Sequence, residues 1–312
     1  MSGTACVVCS GILAERYPRA VDPETGDRFS ILQCASCGLG HTHPVPTDLA
    51  RYYDDSYHGG RHGLTAALCA RRRLRLLQKH APRAGRLLDI GCGEATFLSV
   101  AQDRGWAVAG TEQPNALQRV RAKGFDVRED IRQFDGEKPF DAVTMWHSLE
   151  HMRDPVAVLE ALRDRLSRDG VLVVAVPDWG GVQARVFGAR WLHLDVPRHL
   201  HHYDETSMRR LMRRVGLRIV ERASCEFEYD LLGWMQSALD VVMPQPRLLF
   251  HQLTGKAVRD RRAAVASAAL APIVALAALP LTLHGCVEKR GGTLVVVARP
   301  LPQNAAPEPS AR

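Results

Sequence analysis

The stretch Leu87-Leu88-Asp89-Ile90-Gly91-Cys92-Gly93-Glu94-Ala95 decides the fold. An apolar strand, Arg86–Ile90, runs into a glycine-rich turn. The turn opens a helix whose Phe97, Leu98 and Ala101 recur at helical spacing. Glycines at 91 and 93 carry no Cβ, so the backbone turns tightly there and a ligand can come close. In an open α/β sheet, such a turn at the carboxyl end of the first strand holds a nucleotide. The three-glycine dinucleotide fingerprint is absent, since Thr96 or Phe97 stands where the third glycine would be.

Outward from the turn, strands and helices alternate. Residues 106–111 read as a second strand ending in Glu112, an acid spaced to accept hydrogen bonds from both ribose hydroxyls of a nucleoside. Asp126–Arg128 is a third strand, followed by Asp130 and Ile131. Residues 140–145 form a fourth, ending in Trp146-His147-Ser148-Leu149-Glu150-His151. A helix over 155–166 gathers Val158, Leu159, Leu162 and Leu166 on one face. Residues 171–176 are nearly all apolar, as a buried central strand requires. A helix over 206–215 and strands over 217–222 and 293–298 complete a doubly wound α/β sheet.

The turn resembles motif I, D-x-G-C-G, of the class I S-adenosylmethionine-dependent methyltransferases. F-D-A-V-T-M-W-H at 140–147, L-E-H at 149–151 and D-G-V-L-V-V-A-V-P at 169–177 extend that resemblance over residues 87–222. An NAD-dependent Rossmann enzyme would lack these blocks. The resemblance implies a Rossmann-like seven-stranded sheet and an S-adenosylmethionine pocket built from Asp89, Gly91, Cys92, Gly93 and Glu112. It also implies that Asp130 meets the adenine amino group, that Ile131 packs on the ring, and that Trp146 and His147 line the pocket.

Cys6-Val7-Val8-Cys9 and Cys34-Ala35-Ser36-Cys37 form a C-x2-C pair of knuckles within residues 1–46. Four thiolates at this spacing, with a hairpin between them, suit a structural Zn²⁺. Disulfides or free thiols are the alternatives. The polar start without a leader before Cys6 argues for a reducing, cytoplasmic setting and against disulfides. Cys69, Cys92, Cys225 and Cys286 lack paired spacing and read as small buried or half-buried thiols.

The net charge of +7 raises the question of nucleic acid. Yet Arg71, Arg72, Arg73 and Arg75, like Arg209, Arg210, Arg213 and Arg214, sit at spacings that describe the solvent face of a helix. Few aromatics accompany them, and the N/D-P-P-Y/F tetrapeptide of many nucleobase amino-methyltransferases is missing after the fourth strand. This counts against one kind of nucleic-acid substrate and leaves others open.

His147-Ser148-Leu149-Glu150-His151 matches H-x-x-E-H, but it leaves a strand and meets a new helix at Asp154-Pro155, so a zinc-protease helix is not its setting. A denser cluster, Trp191-Leu192-His193-Leu194-Asp195-Val196-Pro197-Arg198-His199-Leu200-His201-His202-Tyr203, follows the fifth strand without helical or strand period. It reads as a loop over the ligand end of the sheet. Histidine can remove a proton near neutral pH, as a hydroxyl or carbon nucleophile requires. The stretch resembles E-H-L-S-Y-F of zinc-ribbon sugar C-methyltransferases, which implies His199 as the base and Tyr203 in place of an aromatic. Arg198 replaces the glutamate and could grip a phosphate or carboxylate. His147 would lie near them.

Residues 47–85 read as a linker with lid helices. Their Tyr52-Tyr53-Asp54-Asp55-Ser56-Tyr57-His58 resembles the stretch that lies over the cofactor cleft in those relatives. Residues 86–224 are the core, 291–300 its closing strand, and 301–312 a disordered tail. Between 225 and 290 lies an insertion whose 263–283 is uncharged, alanine-rich and flanked by arginine and lysine. One membrane crossing would strand 293–298 on the far side. That leaves a proline-broken hairpin in one leaflet, or a helix pair covering the substrate cleft or an oligomer contact. The expected function is methyl transfer to O or C of a small molecule, saccharide or lipid-linked. An RNA methyltransferase and a non-catalytic zinc-ribbon scaffold are the alternatives.

Overall fold

The computed structural model describes residues 5–53, 64–224, 226–243, 245–256, 258 and 260–302. Strands β1 (Leu13–Val21), β2 (Arg28–Cys34) and β3 (Gly40–His43) pair antiparallel and carry the cysteine knuckles at one end. Then follow α1 (Leu64–His80), β4 (Arg86–Ile90), α2 (Thr96–Gln102), β5 (Ala107–Thr111), α3 (Pro114–Arg121), β6 (Asp126–Arg128), β7 (Phe140–Trp146), α4 (Pro155–Arg165) and β8 (Leu166–Pro177). After these come α5 (Val182–Phe187), β9 (His201–His202), α6 (Glu205–Arg214), β10 (Leu217–Ala223), α7 (Phe227–Val242), α8 (Leu248–Thr254), α9 (Arg261–Val287) and β11 (Thr293–Pro300).

Seven strands form the main sheet in the order β10-β11-β8-β7-β4-β5-β6, with β11 antiparallel to both its neighbours. The order reverses between β4 and β7, so the crevice for a ligand opens at the carboxyl ends of those two strands. The apolar run of β8 explains its central place: all of Val171 through Val176 is fully buried. On one face of the sheet Leu88, Val143 and Val174 pack against Leu159, Leu162, Met208 and Leu211. On the other, Leu87, Val173 and Val295 pack against Leu74 and Leu77. Each such side chain contributes about 1.5–3 kcal/mol by leaving water. Local signals start the helices: Asp154 accepts from Ala157 N–H ahead of Pro155, and Asp204 with Ser207 forms a capping box before α6.

β9 belongs to the other sheet. It pairs antiparallel with β3, Gly40 opposite His202 and His41 opposite His201, so the ribbon's fourth strand comes from the loop after β8.

The insertion between β10 and β11 is helical, as expected, but its apolar part is one helix of 27 residues and neither a hairpin nor a helix pair. A reversal would need turn residues, and only Ala271, Ile273, Leu279 and Leu281 flank Pro272 and Pro280. Alanine and leucine favour the helix strongly enough to carry both prolines through it. Cys286 is disulfide-bonded, which corrects its reading as a free thiol. The tail from 303 and most of the aromatic lid, 54–63, lie outside the described residues.

Candidate active site

The glycine turn opens β4 toward the crevice. Gly91 and Gly93 have φ of +71° and +55°, which a side chain would strain. Gly91 and Cys92 N–H both donate to Thr111 O, binding the turn to β5. Glu112 follows β5, and its buried carboxylate accepts Gly93 N–H at 2.6 Å and Gln113 N–H at 2.7 Å. A Cβ placed on Gly93 would meet nothing within 4 Å, so space lies open over the turn. Cys92 tucks its thiol against Gly110, where a Cβ would sit 2.9 Å from the sulfur, leaving the backbone of the turn for a ligand.

Asp89 is buried beneath the turn and accepts from Thr144 Oγ1 at 2.6 Å. Burial pushes its carboxyl up to about 7, against the Thr144 bond and the charge of Arg73. Trp146 ends β7; Arg73 lies over its ring at 4.7 Å and Phe97 meets it edge-on at 5.5 Å. Its buried Nε1 has no hydrogen-bond partner among the described residues. Asp130 caps the turn after β6 and is paired with Arg132 at 2.6 Å, with Ile131 half-buried beside it. An open glycine turn, a buried carboxylate at its mouth and an unpartnered indole donor together fit an adenosyl ligand.

Ser148 Oγ donates to Ile90 O at 2.8 Å and fastens the loop after β7 to this turn. His147, at φ +54°, is strained and held by its N–H to Ala175 O at 2.9 Å. Its ring lies flat on Tyr229, centroids 4.1 Å apart. Nε2 is 3.1 Å from Glu226 and Nδ1 3.7 Å from Glu150. Burial opposes charge on this imidazole, but the two carboxylates outweigh it and raise His147 to about 9. Glu226 also pairs with Arg73, whose Nε donates to it at 2.7 Å. Arg72 and Arg73 are thus half-buried partners of Glu228 and Glu226, a correction to the reading of the arginine run as a solvent face.

His199 lies across Glu150. Its Nδ1–H donates to His193 O at 2.8 Å, which leaves Nε2 with its lone pair. That nitrogen is 3.9 Å from both Glu150 and Asp195. Burial, with His151 adding to it, lowers His199 to about 4. His151 meets His199 edge-on at 4.7 Å, and its Nδ1–H donates to Arg198 O at 2.9 Å with Tyr53 Oη 3.1 Å away. Donor atoms of Glu150, His151 and His199 all fall within 4.8 Å of one another.

The other two expected catalytic residues sit elsewhere. Arg198 is buried between Asp22 at 2.7 Å and Asp195 at 2.8 Å and donates to Tyr52 O, so it ties the loop to the ribbon. Tyr203 is buried in the core with Cys6, Cys37 and Leu39, under the ribbon. Thr42 of β3 completes the tie, donating Oγ1–H to His199 O at 2.6 Å and N–H to Leu200 O at 3.0 Å. Sequence reasoning missed Asp22, Thr42, Arg73, Glu226 and Tyr229, none of which carries a local motif.

In the ribbon the sulfurs of Cys6 and Cys37 are 3.5 Å apart, those of Cys9 and Cys34 3.4 Å, and all four lie within 4.8 Å. A tetrahedron with Zn–S of about 2.3 Å has edges of about 3.8 Å, so the donor set fits zinc.

Residues 61–222 match the family described as methyltransferase domain. The ubiquinone biosynthesis O-methyltransferase of Cereibacter sphaeroides is 26% identical over 171 residues, covering 50% of this chain and 69% of that protein. Its counterpart from Histophilus somni is 27% identical over 38% of this chain and 57% of that protein. Among solved structures, the [4+2]-cyclase SpnF aligns over 78% of this chain and 84% of that one, with 20% identity and a TM-score of 0.48. The structure of the mitomycin 7-O-methyltransferase MmcR aligns over 46% of each chain, with 20% identity and a TM-score of 0.39.

Proposed function

The chain belongs to the class I S-adenosylmethionine-dependent methyltransferases, and from that premise we propose that it methylates an oxygen or carbon of a small-molecule acceptor, a saccharide or lipid-linked compound. The observation that carries the reading is the 2.8 Å contact of His199 Nδ1 with His193 O, which leaves Nε2 free to accept a proton beside Glu150 and close to the loop that Ser148 fastens to the glycine turn. Bound S-adenosylmethionine supplies a methyl group activated on a sulfonium sulfur. Asp89, Glu112, Asp130, Ile131, Trp146 and the backbone of residues 91–93 hold it. His199 Nε2 takes the proton of the acceptor's hydroxyl or carbon acid, and Glu150 and Asp195 stabilise the imidazolium that results. His147 stays charged at neutral pH between Glu150 and Glu226 and fixes Glu150 as the anion facing His199. The names of the relatives favour oxygen as the atom methylated. The four ribbon cysteines hold one structural Zn²⁺, whose binding folds the ribbon.

Calorimetric titration with S-adenosylmethionine and, separately, NAD tests the reading. Saturable binding of the sulfonium alone is expected, weakened at least roughly tenfold, about 1.4 kcal/mol, in Asp89→Ala/Glu112→Ala. Binding of neither nucleotide, or of NAD alone, overturns it.

A further inference from the structure

Along α9, Ala263, Ser267, Ala278, Thr282 and Gly285 are buried, a stripe of small side chains on which the helix lies against α7 and α8. The rest of its circumference carries no acidic or basic side chain except His284 from 263 to 287 and is open to solvent, with Val265 exposed by 69%, Ile273 by 65% and Leu276 by 76%. Its 27 residues make a rod of about 40 Å. So large an apolar face is a contact surface and not a surface for water.

Both ends return to the same body. Near the start, Gln252 of α8 donates to Ala264 O at 2.9 Å; past the end, Gly291 N–H donates to Ser224 Oγ at 2.9 Å. The helix therefore lies along whatever covers it instead of crossing it alone. Arg261 and Arg262 are exposed at one end beside the capping Asp260, Lys289 and Arg290 at the other beside the exposed Glu288, so each end keeps a net positive charge. Two copies joined through this face would bring like charges together whether the helices ran parallel or antiparallel. Anionic headgroups flanking an acyl layer match apolar middle and cationic ends alike.

We propose that α9 docks the enzyme on an anionic lipid surface, its apolar face among the acyl chains and its four end cations at the headgroups. Resting on the methyltransferase reading, the acceptor is a membrane-borne molecule. The helix that α9 lies on, α7, carries Tyr229 against His147 and is preceded by Glu226, so the docked face and the site share one element.

The test is flotation of the full chain with vesicles of phosphatidylcholine, alone or mixed with phosphatidylglycerol. The wild type should float with the anionic vesicles. Ile273→Arg/Leu276→Arg should stay behind while binding S-adenosylmethionine as before, and Arg261→Gln/Arg262→Gln should float less by about fivefold per cation removed. A wild type that fails to float, or a double-arginine variant that floats unchanged, overturns the proposal. So does a lipid-free dimer that the same variant dissociates, which assigns the face to a second copy. Vesicle binding with no affinity for S-adenosylmethionine leaves the docking intact and removes the acceptor assignment.

Discussion

The turn at 91–93 is held by its own neighbours: Thr111 O, Glu112 and Ser148, all at or just past the ends of the strands beside β4. The loop carrying His199 is held from far away. Asp22 and Thr42 reach it from the ribbon, and Arg247 joins Arg198 on Asp195 from the insertion. The cofactor half of the site is thus part of the common sheet. The half proposed to face the acceptor, around His199, is assembled from the modules added at either side of it. Damage to those modules should abolish transfer and spare the nucleotide pocket.

The largest effect falls on the proposed base. His199→Ala should lower kcat by roughly two to four decades with S-adenosylmethionine affinity unchanged, as read by steady-state rates beside calorimetry. Wild-type turnover would remove the base from this loop. Next comes the ribbon tie. Asp22→Asn leaves Arg198 buried with half its compensation and should cost about 3–5 kcal/mol in denaturant unfolding. The surviving folded fraction should still bind the nucleotide while turning over slowly; equal loss of both would erase the contrast between the two halves.

A smaller effect separates the histidines by pH. His147, raised from its ordinary 6.5 to about 9, contributes stability in full below pH 6.5 and loses it as pH rises through 9. The melting temperature of the wild type should fall across that window more steeply than that of His147→Gln. His199 runs the other way. Lowered to about 4, it stays neutral and able to accept a proton at every pH above that, so the acid limb of kcat should lie below the ordinary histidine range. The mildest test is Thr42→Val, which removes one hydroxyl from His199 O at a cost of about 1 kcal/mol. It should lower kcat and leave nucleotide affinity untouched.

What could be read from the sequence was what is local. Gly91 and Gly93 lie five residues or fewer from the strand and helix they join, and Cys6, Cys9, Cys34 and Cys37 declare themselves by spacing. The loop around His199 was legible as a histidine-rich segment, while its role as base came from the resemblance and stays a proposal. The role of Arg73 was not, because it sits within an arginine run and its partner Glu226 is 153 residues away. Arg198 read as a substrate grip because Asp22, 176 residues off, gives no sign of being its counter-ion. Tyr203 read as catalytic from its place in the resemblance, and only the docking of the ribbon buries it. In α9 the prolines suggested a break that helix-favouring neighbours on both sides override.

The pairing of β3 with β9 also sets an order of events during synthesis. The hydrogen-bonding edge of β3 emerges within the first fifty residues of the chain, but the strand that covers it lies 160 residues further on, as the Thr42–His202 contact shows. Until that segment leaves the ribosome, the ribbon carries a bare sheet edge open to pairing with other chains. Closing it is a long-range step, so the loop that carries His199 should be the last part of this protein to mature.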